Sequence, residues 1–511
     1  MPDASITPPS VSANSRRVAR NTVFLYFRML LMMFIGLFTS RIVLKALGVD
    51  DYGIYGAVGG IVTMFTVITN SISQSISRYM TVGLGKGDSE KLKRVFSTAV
   101  IIQLLFCAAV VLLTETAGLW WLHSHMKIPA GRMGAAQWVL QCSMGVLMVN
   151  LLSVPFNATI VAHEKMGAYA LISILEAVLK LVLVALLYFL GGDKLKIYAV
   201  LMLAVSLIVR LAYSTYCHHF FEESRGSLVF DRGLLREMTG FAGWNVMGSG
   251  AYLFNTQGVN LMSNWYFGVG VNAARLVAMQ VENIVKQFVN NFLTAINPQI
   301  TKSYVGGSRD YCFILVSKAV KFSCLVMLVF LIPLEFGTGP LLRLWLGDVP
   351  PHSVIFVRLM LLGLFADMAF NPLLTLIQAD GRIRTYYIVS SLVGMLVFAL
   401  SWVAFSRGAE PYVSYILFIA VYSLVDVIRL LTAWRLASFP VMDFLKDTLL
   451  PLLGAALISV ASALLVWIFV DQSVLRMILI LAAGWAGLAA GAWNLCLTRG
   501  EKMFIKSKVC R

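Results

Sequence analysis

Long apolar runs, interrupted by short polar loops, extend from Thr22 almost to the end of the 511-residue chain. A run of about 20 apolar residues is the length that an α-helix needs to cross the hydrocarbon core of a bilayer. The pattern therefore predicts an all-α polytopic membrane protein with about fourteen transmembrane helices. We expect them at residues 21–45, 53–81, 95–116, 133–161, 167–190, 196–218, 241–267, 272–304, 312–334, 353–379, 385–405, 411–435, 448–470 and 475–497.

Three of these predicted helices, 133–161, 272–304 and 353–379, are longer than a bilayer is thick. Each contains a proline, and the three are Pro155, Pro298 and Pro372. Because proline removes a helix hydrogen bond and clashes with the preceding turn, we expect kinks or protruding ends there.

The sequence contains an internal repeat at a spacing of 217–220 residues. Residues 155–173 align without a gap to residues 372–390, with five identities in 19 positions. Further matches at an offset of 220 pair Gly48 with Gly268, Ser97 with Ser317, and Glu115 with Glu335. The interval holds six predicted helices, and an even number gives both copies the same membrane orientation. We therefore expect two six-helix lobes related by a pseudo-two-fold axis along the membrane normal.

The repeat and the loops divide the chain into seven segments. The last two helices have no repeat partner; Gly487 and Gly491 give them small-residue spacing for helix packing against the core or lipid. The predicted segments are a disordered basic N-terminus at 1–20, an N-lobe at 21–220, an inter-lobe linker at 221–240, a C-lobe at 241–436, a loop at 437–447, two further helices at 448–497 and a basic tail at 498–511.

The distribution of Lys and Arg predicts the orientation. If the N-terminus is cytoplasmic, the inside loops and tails hold 23 of the 41 basic residues and the outside loops hold nine. Basic residues accumulate on the cytoplasmic side of membrane proteins, so both termini are predicted to be cytoplasmic. The first apolar run is too long for a signal peptide and no small-residue cleavage site follows it, which favours an uncleaved first helix.

Composition narrows the function classes. The chain is 59% hydrophobic and 13% charged, and its net charge of +16 is spread over short loops, which argues against nucleic-acid binding. The seven cysteines form no CxxC pair, and the histidine clusters lack partners at metal-ligand spacing. No phosphate-binding loop or nucleophile–base pair is evident, so we expect neither an enzyme nor a bound cofactor. Coupling to an H⁺ or Na⁺ gradient or to the membrane potential stays open.

Ionisable residues inside predicted spans usually face a partner or a cavity, because they are costly in lipid. Glu176 and Lys180 are one turn apart and can pair, as can Asp426 and Arg429. Arg28 is different, since it lies two turns into the first helix with no acidic neighbour. It needs a counter-charge from another helix, a ligand anion or water, unless its side chain extends to the cytoplasmic headgroups.

The densest polar pattern lies in the seventh and eighth helices. One face of the seventh carries Asn245, Ser249, Tyr252, Thr256, Asn260 and Ser263; a stripe on the eighth carries Arg275, Glu282, Lys286, Asn290 and Asn297. Hydrogen bonds between helices would account for one or two amides. Stripes this complete favour a hydrated cavity. Amides and hydroxyls suit sugar hydroxyl groups, whereas Arg and Lys suit phosphate oxygens.

Four segments carry a resemblance to a known family: RNTVFLYFRMLLMMFIGLFTSRIVLKALGVDDYGIY at 20–55, ISRYMTVGLGKGDSEKLKRVFSTA at 76–99, FAGWN at 241–245, and VNAARLVAMQVENIVKQFVNNFLTAINPQITKSY at 271–304. They resemble the bacterial Wzx-type polysaccharide and O-antigen flippases of the multidrug/oligosaccharidyl-lipid/polysaccharide exporter superfamily. The resemblance extends from about residue 20 to about residue 500. It implies two six-helix lobes, often with two further helices.

The resemblance also implies a function and a place in the cell. Such proteins move an undecaprenyl-pyrophosphate-linked oligosaccharide across the bacterial inner membrane by alternating access, and cationic cavity residues engage the pyrophosphate. Arg28 and Arg275 lie in the matching segments, with Lys286 as a weaker third candidate. The glycan would be an O-antigen, capsule or exopolysaccharide repeat unit. Membrane lipids and other polysaccharide-assembly proteins are the implied partners.

Three alternatives remain at this point. A cation-coupled multidrug exporter of the same superfamily would rely on cavity carboxylates, and Glu282 and Asp367 supply two candidates. A membrane polysaccharide polymerase or ligase should carry a large outside loop with catalytic residues, which the sequence lacks. A non-transporting scaffold would not need a polar cavity along two helices.

Overall fold

The protein is all-helical in the part of the chain that the computed structural model describes. That part comprises residues 11–63, 88–163, 165–187, 189–225, 229–240, 254–471 and 474–503, with isolated positions between 65 and 84; of residues 11–29 only the backbone is described. Among these residues, eleven helices are long and apolar enough to cross a membrane. Because lipid offers no hydrogen bonds, a helix that satisfies its own backbone groups is the expected form for each apolar run.

The chain forms two compact units, Met1–Met247 and Gly248–Arg511. In the first unit the helices are α1 (Val11–Thr63), α2 (Ser89–Leu113), α3 (Met133–Ala162), α4 (Met166–Leu186), α5 (Lys194–Phe220) and α6 (232–240). Asp88 caps α2 by accepting from the Lys91 backbone N–H at 2.9 Å. A five-residue π-helical turn, Thr114–Gly118, continues α2 into the short helix Leu119–Ser124.

The second unit is built from a matching series of helices and two more. Its helices are α7 (Val259–Phe267), α8 (Val269–Val305), α9 (Arg309–Leu346), α10 (Ser353–Met368), α11 (Asn371–Asp380), α12 (Arg384–Ser406), α13 (Val413–Ala437), α14 (Leu450–Phe469) and α15 (Val474–Gly491). The starts of α2 and α9, at Ser89 and Arg309, differ by the repeat offset of 220, and α5 and α13 end at Phe220 and Ala437, 217 residues apart.

Two glycines show the same repeat in the backbone. Gly48 interrupts α1 with φ 79° and ψ 174°, and Gly268 separates α7 from α8 with φ 85° and ψ −174°. Both torsion pairs lie in the region that residues with a Cβ rarely adopt, so glycine is required at each turn. The predicted match between these glycines is therefore visible as one shared backbone geometry.

The predicted count of about fourteen helices is only partly represented. The predicted spans 53–81 and 241–267 lie partly outside the described residues. The predicted span 272–304 is present as α8, but α8 is too polar to be counted among the eleven apolar helices. The count of fourteen stays a prediction.

The prolines do not all break their helices. Pro155 lies inside the continuous helix α3, where the prediction allowed a kink or a protruding end. Pro372 does coincide with a break, because α10 ends at Met368 and α11 begins at Asn371. Proline fits the first turn of a helix, where its missing N–H costs nothing, and this explains why the chain restarts there.

A cluster of three charged residues, here called the charged node, joins α1 to the starts of α3 and α5 in the first unit. Arg132 Nε and Nη2 donate to the two carboxylate oxygens of Asp51 at 2.8 and 2.5 Å, and Nη1 and Nη2 donate to Asp193 at 3.0 and 2.9 Å. The residues lie in α1 and immediately before α3 and α5. Burial opposes ionisation of Asp193, but its hydrogen bonds with Arg132 lower its pKa below the ordinary value. The node ties these three segments together.

The last two helices pack closely against each other and against α9. Ser459 Oγ donates to the Gly484 carbonyl at 2.6 Å, and Trp485 Nε1 donates to the Val329 carbonyl of α9 at 2.9 Å. Beyond α15, Glu501 accepts from the buried Lys321 of α9 at 2.7 Å. Small residues and polar contacts thus hold the pair to the second unit, as expected for helix association in lipid.

Candidate functional site

A pocket with a largely apolar surface and several polar residues lies inside the second unit, where α7, α8, α10, α12 and α13 meet. Its polar lining consists of Asn255, Thr256, Arg275, Glu282, Asp367, Ser414 and Tyr415. Apolar residues such as Met279, Leu364 and Phe418 complete the wall. The cavity volume is about 50 Å³. That is room for one or two water molecules but far below the roughly 300–1,000 Å³ of a drug-sized ligand pocket.

Arg275 is the cation of this pocket. It lies in the second turn of α8, and only 5% of its surface is exposed. Its guanidinium stands over the Tyr415 ring at 5.1 Å from the centroid, and Nη2 donates to the Thr256 carbonyl at 3.5 Å. Nε is buried and has no hydrogen-bond partner in the part of the chain that the structure describes. The guanidinium is therefore buried but held by long, weak contacts, which leaves donor capacity for another acceptor.

Two carboxylates share the pocket with Arg275. Glu282 lies two helical turns along α8 on the same face, and Asp367 reaches the pocket from α10. Lys286 Nζ lies 3.8 Å from Glu282 Oε1, so it partly compensates that carboxylate. Charges that share one partly buried pocket interact more strongly than they would in water, so the pairing of one affects the others.

A hydrogen-bonded network around Arg429 holds the backbone of Asp367. Arg429 Nη1 donates to the Asp367 backbone carbonyl at 2.8 Å and to Asp426 Oδ1 at 2.9 Å, and Arg429 Nε donates to the Tyr386 hydroxyl at 2.9 Å. Asp426 and Arg429 are both buried. The predicted pairing of these two residues is present, and so is that of Glu176 with Lys180, at 2.6 Å. A paired and satisfied arginine suits a structural role better than ligand binding.

Asn260 belongs to a separate amide cluster at the Gly268 turn. Asn272 Nδ2 donates to Asn260 Oδ1 at 2.9 Å and to its backbone carbonyl at 3.1 Å, while Asn264 Nδ2 donates to Asn272 Oδ1 at 2.9 Å. All three are buried. These hydrogen bonds hold α7 against α8. Asn260 is not among the residues that line the pocket.

The structure brings together some of the predicted site residues. Arg275, Glu282 and Thr256 line one pocket, with Lys286 one turn away. On the same helix, Asn290 is exposed and Asn297 is half-buried. Asn245, Ser249, Tyr252 and the side chain of Arg28 lie outside the described residues. Their assignment stays a prediction.

Tyr415, like Asn255 and Ser414, is a polar pocket residue that the sequence did not lead us to predict. Tyr415 is buried, its ring carries the Arg275 contact, and its hydroxyl has no hydrogen-bond partner among the described residues. One signal could have found it, because Tyr415 lies 217 residues after Tyr198, within the repeat offset. Among the described residues, no group of three or more His, Cys, Asp or Glu side chains could hold a metal ion.

The helical units are those of a polytopic membrane protein, and comparison with solved structures agrees on the fold. The lipid II flippase MurJ, in an inward closed conformation, matches with a TM-score of 0.65 and 12% identity, over 93% of this chain and 98% of that one. The eukaryotic MATE transporter AtDTX14 matches with a TM-score of 0.54 and 13% identity, over 82% and 99%. These likenesses show the fold.

The family follows from the sequence comparison. Residues 18–304 match the polysaccharide biosynthesis protein family, and the chain belongs to that family. A relative, the uncharacterized membrane protein EpsK of Bacillus subtilis (strain 168), is 21% identical over 372 residues, which cover 71% of this chain and 72% of that protein. The resemblance noted in the sequence is thereby confirmed at the level of the family and the fold.

Proposed function

We propose that this protein is a flippase that moves an undecaprenyl-pyrophosphate-linked oligosaccharide from the inner to the outer leaflet of the bacterial inner membrane by alternating access. The observation that carries the proposal is a polysaccharide biosynthesis family match on a chain with a transporter fold. A sugar–lipid of this kind has a polar, charged head that cannot cross hydrocarbon unaided. The glycan would be a repeat unit of O-antigen, capsule or exopolysaccharide.

The pyrophosphate is assigned to Arg275, with Arg28 as a second cation and Lys286 as an assisting one. A guanidinium offers fixed, two-pronged donors that match phosphate oxygens, and it stays charged when buried. The unpartnered Nε of Arg275 supports this role. Sugar contacts are assigned to the amides and hydroxyls of the polar stripes on the seventh and eighth predicted helices. Both termini are assigned to the cytoplasmic side.

A chromosomal deletion tests the proposal. Cells that lack the protein should accumulate a lipid-linked oligosaccharide that stays in the inner leaflet, and they should lose the finished surface polymer. Plasmid-borne wild-type protein should reverse both effects. Accumulation of a lipid-linked glycan already in the outer leaflet, or unchanged surface polymer, would contradict the proposal.

The second candidate is a cation-coupled multidrug exporter, which the presence of Glu282 and Asp367 in one pocket favours. A cationic drug would be attracted by two carboxylates, whereas Arg275 in the same pocket repels it. The deletion strain separates the two candidates. Increased drug sensitivity with a normal surface polymer would support the exporter.

A further inference from the structure

One contact between helices occurs at equivalent positions of the repeat in both units, but different side chains make it. In the first unit Tyr55 packs on Tyr198, with ring centroids 4.9 Å apart. At the repeat offsets of 220 and 217, these positions correspond to Arg275 and Tyr415, whose contact in the second unit spans 5.1 Å. The contact between the two helices is kept, but a guanidinium stands where the first unit has a phenol.

The carboxylates of the pocket are also specific to the second unit. At an offset of 220, Glu282 corresponds to Val62. Asp367 lies five residues before Pro372, as Asn150 lies five residues before Pro155. The pocket thus carries one cation and two carboxylates at positions where the other copy of the repeat is neutral. Packing does not require these charges, since the first unit folds its equivalent contact without them.

The pocket places Arg275 together with two carboxylates but does not fix its guanidinium in an ion pair with either of them. Within the described part of the chain, no ion pair within 4.0 Å joins Arg275 to Glu282 or Asp367. Long-range attraction therefore acts on the guanidinium together with the Tyr415 ring and the Thr256 carbonyl. A cation held in this way can move to a stronger acceptor, whereas a bidentate ion pair would keep it in place.

We propose that Glu282 and Asp367 form an internal counter-charge site that holds Arg275 between transport events and competes with the pyrophosphate of the substrate, with Tyr415 as the positioning residue. This inference rests on the proposed function. A flippase must release its anion as well as bind it, and two fixed carboxylates lower the affinity of Arg275 for a pyrophosphate. They take the guanidinium back when the substrate leaves.

Binding of farnesyl pyrophosphate to the purified full-length protein tests the proposal. Glu282→Gln and Asp367→Asn should each bind the probe about five- to tenfold more tightly than wild type, because each removes a nearby negative charge. Inorganic pyrophosphate, as a second probe, should show the same ratio, which assigns the effect to the phosphate groups. Glu410→Gln is the control, since it removes an exposed carboxylate of the second unit that lies outside the pocket, and its affinity should equal that of wild type.

Two further variants separate positioning from folding. Tyr415→Phe keeps the ring and should bind like wild type, whereas Tyr415→Leu removes it and should bind the probe more tightly. In an Arg275→Ala background, Asp367→Asn should have a much smaller effect than in the wild-type background, because this carboxylate acts mainly through Arg275, whereas Glu282 also faces Lys286. A purely structural role would lower the melting temperature without tightening binding.

The outcomes distinguish the proposed function from the counter-charge site. If Arg275→Ala binds both probes like wild type, the assignment of the pyrophosphate to Arg275 fails. If Arg275→Ala abolishes binding but neither carboxylate variant binds more tightly, the counter-charge site alone is overturned. An effect of Asp367→Asn that keeps its full size in the Arg275→Ala background would also overturn it.

Discussion

Arg275 shows how a single side chain can be buried and still be available for a ligand. It is enclosed by five helices, yet its contacts are a ring face and one carbonyl at 3.5 Å. Arg429, in the same unit, is held by three hydrogen bonds to Asp426, Asp367 and Tyr386. Two arginines of one unit thus differ in their remaining donor capacity, and this difference decides which of them we assign to the substrate.

Removal of the arginine side chains should stop export. We expect Arg28→Ala and Arg275→Ala to abolish surface glycan while the protein stays folded and inserted, because an unpaired pyrophosphate is too costly to carry. Arg→Lys at either position should restore export in part, since lysine keeps the charge but loses the two-pronged geometry. Surface glycan measured at matched expression checks this. Wild-type export in both alanine variants would refute the assignment and favour structural pairing or side chains that extend to the headgroups.

The charged node at Arg132 should stabilise the folded protein. Arg132→Gln should lower the free energy of unfolding by roughly 1–3 kcal/mol, because two partly buried carboxylates lose a bidentate partner. Thermal unfolding of the purified protein measures the change. Lys91→Gln, which removes a cation outside the node, is the control and should unfold like wild type.

The node also carries a pH dependence. The pKa of Asp193 is lowered in the folded protein, so its contribution to stability is present above its unfolded value of about 3.9 and disappears as the pH falls through the lower folded value. The difference in unfolding free energy between wild type and Asp193→Asn should therefore be largest near neutral pH and vanish in acid. A difference that grows in acid would contradict the ionic interpretation.

The packing of α15 on α14 depends on glycine at specific positions. A Cβ at Gly491 would lie 2.7 Å from the Ala455 Cα, whereas one at Gly484 would find its nearest atom at 3.7 Å. Gly491→Ala should therefore destabilise the protein by about 1–3 kcal/mol, and Gly484→Ala should be neutral or slightly stabilising. Melting temperatures of the two variants make the comparison. Equal effects would show that α15 does not pack on α14 in this way.

Sequence patterns predicted the individual helices but missed features that depend on distant contacts. Apolar runs predicted the long helices, and the repeat matched Gly48 with Gly268, which share one backbone geometry in the structure. α3 continues through Pro155, where the chemistry of proline alone predicts a kink. The pocket forms where five helices meet, so the residues that line it cannot be identified from any one stretch of sequence. For this reason the polar stripe included Arg275 and Glu282 but not Tyr415.

For the whole molecule, the predicted topology can be tested by chemical labelling. Single cysteines near His123 and Glu410 should react with an impermeant reagent added from outside, and cysteines near Lys91 and Arg382 should not, because basic loops stay in the cytoplasm. The native cysteines should first be replaced, and the six described ones are all buried. Outside labelling near Lys91 or Arg382 would refute the orientation.

Reconstitution into vesicles tests whether the protein moves a lipid-linked oligosaccharide between leaflets. Purified protein is placed in vesicles that contain a fluorescent undecaprenyl-pyrophosphate-linked oligosaccharide, and an impermeant quencher reports how fast the lipid changes leaflet. We expect the wild-type protein to accelerate this movement over protein-free vesicles, and Arg275→Ala, at the same density, to leave it at the protein-free rate. Movement no faster than in protein-free vesicles, under an imposed ion gradient or membrane potential as well as without one, would contradict the assignment of the protein as a flippase.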